Sequence, residues 1–372
     1  MPRASRVAGG TTMLDPISWG ARLASALVYP RTVDDFVGLV SPLRTRRAHH
    51  ARVVSVRRET HDTVTLVLGP GPGYPRHRAG QHVALTLELD GVRRTRIFSI
   101  ASAERSRGGA ERPIELTIRA RTGGLVTPRL TKRGAGAVRE GDVVELGAPA
   151  GEFVLGTPVP GRLLLVSGGS GITPVMAMLR TLVERRHGGE VVFVTWARSP
   201  RDVLFGAELE SIARAAPLTC PGLRIEIVHG PLREGELAAK VPDLRAWDVF
   251  ACGPAGMLER VRTELSTRGD VTKLRTEVFS PPAPKAYEGE GGEVTFTRSG
   301  TTARGRGPIL PMAEAAGLHP KHGCRIGICR TCVCRKLSGT TRDTNTGALS
   351  TDGDVAIRIC TSEPVGPVVI EL

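Results

Sequence analysis

The 372 residues suffice for two or three domains with full cores, and all seven cysteines lie in the second half, unlike the disulfide framework of a small secreted protein. No run approaches the roughly 18 apolar residues that span a bilayer, and the N-terminus has no apolar segment followed by a small-residue cleavage site, so a cytoplasmic protein is expected. The formal charge of +14 is nearly all Arg, and with aromatic residues at only 4% there is no stacking platform for nucleic acid.

Residues 1–45 form an N-terminal extension with Ile17, Leu23, Leu27, Phe36, Val37, Leu39 and Val40, punctuated by Pro30 and Pro42, which predicts short helices. Arg44, Arg46, Arg47, Arg52, Arg57 and Arg58 crowd the next stretch, with Arg76, Arg78, Arg93, Arg94 and Arg96 soon after. Such a front-loaded field suits an acidic partner or an anionic membrane surface, with a peripheral position at the inner membrane face; a solvated basic face fits the same pattern.

Residues 46–156 read as β structure. Val53–Val56, Thr63–Leu68, Val83–Leu89, Ile97–Ile100, Ile114–Ile118 and Val143–Leu146 are short, β-branched runs separated by turn residues, and Asp90-Gly91 is a hairpin signal. Six such strands without a long helix predict an antiparallel β-barrel. Residues 157–280 change character. Leu163–Val166 is a continuous apolar strand, followed by Ser167-Gly168-Gly169-Ser170-Gly171-Ile172-Thr173-Pro174 and a helical run to about Arg186. Strands at Val191–Trp196, Arg224–Val228 and Trp247–Ala251 then alternate with a helix at Glu208–Ala215, which predicts an α/β domain with a parallel sheet.

The glycine loop opens a helix whose first turn holds Pro174, preset for helical φ. Bare N–H groups there, with Gly169 and Gly171 permitting close approach, suit a pyrophosphate, although a plain tight turn has the same composition. The pattern is not G-x-G-x-x-G, which disfavours an ordinary dehydrogenase. Cys252-Gly253-Pro254 ends a later strand on the same carboxyl edge, where ligands bind in such sheets.

Residues 281–292, rich in Pro and Gly, form a linker, and residues 293–372 carry the most specific signal. Cys324, Cys329, Cys332 and the distant Cys360 have the C-x4-C-x2-C…C spacing of a plant-type [2Fe–2S] cluster. Gly327 stands where the loop must bend sharply. Four thiolates also suit zinc, but zinc sites pair two short knuckles, whereas here the fourth Cys stands alone. Cys334 is a bystander.

These motifs, in this order over roughly residues 50–372, resemble the ferredoxin–NADP⁺ reductase superfamily, in the class with a C-terminal [2Fe–2S] domain. Arg96-Ile97-Phe98-Ser99 is similar to the flavin motif R-x-Y/F-S/T. The resemblance implies that Arg96 binds the flavin pyrophosphate, Phe98 packs on the flavin and Ser99 lies near its N5. Gly123-Gly124-Leu125-Val126-Thr127 is similar to a second phosphate-binding turn through Gly123, Gly124 and Thr127. The loop with Gly169, Gly171 and Thr173 is similar to the nucleotide loop, and Cys252, Gly253 and Pro254 to the turn beside the nicotinamide. Ser99 and Cys252 are then the expected catalytic residues, although Cys252 also fits as a small buried strand end. The resemblance implies FAD, with FMN in related reductases, and a β-grasp ferredoxin domain.

NADPH is expected over NADH, because Arg198 and Arg201 follow the strand ending at Trp196, where an Arg can pair with the 2′-phosphate; Arg198 also fits as a surface side chain. The domain order is similar to that of epoxygenase reductases and of mycobacterial stearoyl-CoA desaturase reductases, and the basic N-terminal extension is closest to the latter. The resemblance thus implies electron transfer from NADPH through FAD and [2Fe–2S] to a membrane-bound acyl-CoA desaturase. A soluble oxygenase or P450 as acceptor, and a non-catalytic metal-binding protein, are the alternatives.

Overall fold

The computed structural model describes residues 43, 48–89, 92–104, 113–124, 126–134, 136–279, 291–323, 325, 327, 331–344 and 347–372. The expected N-terminal helices, the Asp90-Gly91 turn, nearly all of the 281–292 linker, and Cys324 and Cys329 lie outside the described residues.

Six antiparallel strands, β1 (His49–Arg58), β2 (Thr63–Pro70), β3 (His82–Leu89), β4 (Val92–Ser99), β5 (Ile114–Arg119) and β6 (Val143–Leu146), form one sheet in the order β4-β3-β6-β1-β2-β5. A bridge between Ile100 and Leu116 joins its two ends, so the sheet nearly closes into the expected barrel. Leu89 pairs with Val92, the register of a two-residue hairpin. Alternate residues point inward (Val64, Leu66 and Leu68; Ile114, Leu116 and Ile118) and fill the interior with buried aliphatic side chains. A short helix, α1 (Thr127–Thr131), plugs one opening through Leu130.

The second sheet is parallel, ordered β11 (Leu274–Glu277), β10 (Asp248–Cys252), β7 (Arg162–Gly168), β8 (Glu190–Ala197) and β9 (Leu223–His229). The apolar runs of β7, β8 and β10 are continuous because both their faces are covered. Leu163, Leu165, Phe193, Phe250 and Cys252 enter one core under α2 (Ile172–Glu184) and α3 (Gly206–Thr219). Leu164, Val166, Val194, Val249 and Ala251 enter another, which includes α5 (Ala255–Arg268); the small α4 (Glu236–Lys240) adds Leu237. On α2, Ile172, Val175, Met176, Leu179 and Leu182 recur at helical spacing and are all buried. Burying each such side chain contributes about 1.5–3 kcal/mol.

The first of these cores does not stop at the domain boundary. Ala79, Ala101, Phe153 and Leu155 from the barrel belong to it, with Phe153 edge-on to Phe250 at 5.7 Å between ring centroids. Above it, Arg180 of α2 reaches across to the barrel. It donates to Ala101 O (2.7 Å) and Glu115 (2.9 Å), pairs with both oxygens of Glu208 (2.7 and 2.6 Å), and lies over the Phe205 ring.

The third sheet is ordered β13 (Thr301–Gly305), β12 (Gly292–Phe296), β17 (Ser362–Ile370), β14 (Val333–Asp343) and β15 (Leu349–Ser350), with β16 (Val355–Arg358) also on β14. Helix α6 (Ile309–Ala315) packs on it, and their core draws only on residues 294–372.

Candidate redox site

Strand register places four side chains at the seam between barrel and parallel sheet. On the barrel, His82 of β3 pairs with Ser99 of β4; on the sheet, Cys252 of β10 pairs with Glu277 of β11. All four are buried. Ser99 Oγ lies 3.4 Å from Glu277 Oε2, and His82 Nδ1 lies 3.5 Å from Glu277 Oε1. Burial, and then the charge of Glu277, push the Cys252 thiol well above its ordinary pKa. Ser99 and Cys252 therefore both adjoin Glu277, which with His82 was unforeseen.

The glycine loop and the Cys252-Gly253-Pro254 turn are in direct backbone contact. A Cβ on Gly171 would sit 2.3 Å from Cys252 O, and one on Gly253 would sit 3.2 Å from Gly168 N. Only glycine fits at 171, residue 253 is tight, and Gly169 adds a φ of +54°. The loop runs as a single 3₁₀ turn into the N-terminus of α2, leaving amide donors for a nucleotide pyrophosphate. Thr173 is buried, with its hydroxyl donating to Ser170 O at 3.1 Å, so it braces this turn.

On the barrel, Gly123 has φ +72°, and Thr127 Oγ1 accepts from Arg121 N at 2.9 Å, closing the turn that holds Gly124. Arg96 donates to Thr95 O at 2.8 Å. Its pKa is lowered by burial and then by the neighbouring charges of Arg94, Arg121 and Arg325. A partly buried guanidinium under like charge suits an anion, and a flavin pyrophosphate fits. Phe98 is half-buried against the barrel core.

Beyond β8, Arg198 is largely exposed, and Asp202 Oδ1 holds it at 3.3 Å. Asp202 also accepts from Ser199 Oγ (2.9 Å) and from Arg119 of the barrel (3.4 Å). Arg201 is exposed on the adjoining 3₁₀ turn.

In the third domain, Cys332 and Cys360 are 2% and 5% exposed, and Ile359 N donates to Cys332 O at 3.3 Å, so their segments adjoin. Gly327 has φ +82°, and its carbonyl accepts from Arg358 at 3.0 Å; Arg325, at φ +60°, pairs with both oxygens of Glu314 (2.6 and 2.9 Å). Two buried thiols on adjoining segments, with Gly327 tied to Arg358 beside Cys360, fit a cluster held by cysteines.

The three domain models that match are the oxidoreductase FAD-binding domain over residues 50–155, the oxidoreductase NAD-binding domain over 165–263, and the 2Fe-2S iron-sulfur cluster binding domain over 295–365. The chain is 36% identical to an NADPH oxidoreductase of Mycobacterium tuberculosis over 94% of this chain and 91% of that protein. The chain belongs to the ferredoxin–NADP⁺ reductase superfamily. It is also 30% identical to the glycine betaine monooxygenase reductase subunit of Pseudomonas aeruginosa, over 87% of this chain and 95% of that one. Phthalate dioxygenase reductase shares its fold, with a TM-score of 0.55 at 22% identity over 87% of this chain and 97% of that one.

The reductase is thus an NAD(P)H-dependent oxidoreductase of the class that carries FAD and a [2Fe–2S] cluster for electron transfer, as its sequence led us to expect. No helix among the described residues is long and apolar enough to cross a membrane.

Proposed function

We propose that this reductase draws on NADPH and delivers single electrons to a membrane-bound fatty acyl-CoA desaturase. The likeness to the mycobacterial NADPH oxidoreductase over 94% of the chain supports NADPH as the donor, and the run of Arg residues from Arg44 to Arg58 is what favours a membrane-bound acceptor. Several basic side chains, each contributing about 1 kcal/mol near an anionic surface, can hold a protein there reversibly without a spanning helix. NADPH is the proposed donor because Arg198 and Arg201 stand free of the core beyond β8.

Bound FAD would supply the conversion between the paired electrons of a hydride and the single electrons a cluster accepts. The chain's own groups hold and orient. Arg96, with Gly123, Gly124 and Thr127, holds the flavin phosphates, and Phe98 packs on the flavin ring. The loop through Gly169, Gly171 and Thr173 receives the nucleotide, with Arg198 and Arg201 at its 2′-phosphate. Ser99 and Cys252, with Gly253 and Pro254, flank the nicotinamide. Cys324, Cys329, Cys332 and Cys360 hold the cluster.

A soluble oxygenase as acceptor is the second reading, favoured by the 30% identity to a monooxygenase reductase subunit. Reconstitution decides between them. The purified reductase, NADPH, anionic liposomes and a Δ9-type desaturase from the same cell should yield unsaturated acyl product, and the rate should fall with salt as screening grows. No product, with efficient reduction of an oxygenase from that cell, overturns the desaturase reading.

A further inference from the structure

One guanidinium grips the cysteine loop of the third domain from a neighbouring strand. Arg358 Nη1 donates to Gly327 O at 3.0 Å, and Arg358 Nη2 donates to Asp343 Oδ2 at the same distance. The carbonyl it takes belongs to a buried glycine at φ +82°, where the loop turns. Arg358 is thus the middle member of a chain that runs from a carboxylate at the end of β14, through β16, to the loop.

The strands fix both charges in place. Arg358 pairs with Val333 in antiparallel register, so it stands across from the residue that follows Cys332 and two residues before Cys360. Its own carbonyl accepts from Thr361 N at 2.9 Å, and Thr361 O accepts from Thr344 N at 2.7 Å, which ties this segment to the end of β14. Asp343 pairs with Ser362 of β17, and its side chain is mostly covered. The loop's other described arginine, Arg325, is held separately by Glu314 of α6.

Reduction adds negative charge to a cluster already bound by thiolates. A cation held nearby favours the reduced form, an anion opposes it, and groups that hold the loop orient the ligands. We propose that Arg358, oriented by Asp343, is a positioning residue that fixes the cluster loop through Gly327 and raises the reduction potential of the cluster. This rests on the reading of Cys324, Cys329, Cys332 and Cys360 as the ligands. Asp343 then acts in two ways, aiming the guanidinium and offsetting part of its charge. Removing one charge or the other should move the potential in opposite directions.

The test is a redox titration of the holoprotein, with the reduced cluster read by electron paramagnetic resonance. Arg358→Gln should keep its iron and lower the potential, so that at a fixed poise the ratio of reduced to oxidised cluster falls about tenfold, or about 59 mV for a one-electron couple. Asp343→Asn keeps the shape without the charge and should raise that ratio. Arg358→Lys keeps the charge but loses the fork that grips carbonyl and carboxylate together. It should restore most of the ratio while its resonance broadens. An unchanged potential in Arg358→Gln, or shifts of the same sign in Arg358→Gln and Asp343→Asn, would overturn the proposal. If Arg358→Gln loses its cluster, Asp343→Asn decides, and a potential that does not rise there overturns it. Iron content in Cys332→Ser tests the ligand reading separately, since a cluster retained there would refute that reading whatever the potentials.

Discussion

Cys252 and Glu277 stand side by side, in register, at the carboxyl ends of adjacent parallel strands. A carboxylate beside a fully buried sulfur keeps that sulfur a thiol, so Cys252 contributes shape and a weak donor at the seam, not a nucleophile. In the native protein at pH 8, Cys252 should resist iodoacetamide, while the unfolded chain is alkylated there fully. Peptide mass spectrometry after timed quenching measures this. Rapid native labelling of Cys252 would show that the seam opens.

Replacing Cys332 or Cys360 by Ser should abolish the cluster absorbance and transfer to one-electron protein acceptors, and Cys324→Ser or Cys329→Ser should do the same. Reduction of flavin by NADPH and of ferricyanide should survive, because the core of the third domain is separate from the other two. Cys334→Ser should keep the visible spectrum. Iron content and absorbance per chain provide the check; loss of the cluster in Cys334→Ser alone would reassign the ligands.

Arg198→Ala should raise KM for NADPH roughly tenfold, the scale of one lost charge-assisted hydrogen bond. KM for NADH should hardly move. Arg201→Ala should show a smaller version. Steady-state ferricyanide reduction with each nucleotide measures both, and equal effects on the two nucleotides would remove these arginines from phosphate recognition.

Glu115 gives the stability of the seam a pH dependence. Burial alone would raise its pKa, but its pairing with Arg57 and Arg180 outweighs this and holds it below the ordinary value. A carboxylate depressed in the folded state contributes stability above its unfolded pKa, and that contribution is lost as pH falls through the folded value. The Tm should therefore drop below about pH 4.3, and less steeply in Arg180→Met. At pH 7 that variant should lose on the order of 1–2 kcal/mol, since Glu115 keeps Arg57 and Glu208 is partly exposed. Thermal denaturation from pH 3 to 8 tests both statements.

The motifs were legible in the sequence because each is local. A glycine loop between an apolar strand and a helix, or three cysteines within nine residues, carries its meaning in its spacing. The barrel was legible for the same reason, its strands being short alternating runs. Glu277 and His82 were not. Ser99 and Glu277 are 178 residues apart in sequence, and β11 reads Leu-Arg-Thr-Glu, too short and too polar to announce a strand. His82 lies in an ordinary strand, and its slot depends on a glycine in another segment. One signal was available: Glu277 directly precedes the apolar pair Val278-Phe279.

The core that binds Ala79, Ala101, Phe153 and Leu155 of the barrel to Phe250 and Cys252 of the sheet bears on how the protein is made. On the ribosome, the barrel sequence emerges well before Phe250 does. One flank of the barrel must then wait, bare and apolar, for about a hundred residues of further synthesis, at roughly 5–20 residues per second. The ferredoxin domain, whose core closes on itself, faces no such wait and follows as an independent folding event. In the nascent chain, the protein is two folding units rather than three, and the interval in which that apolar flank is exposed falls in the middle of translation.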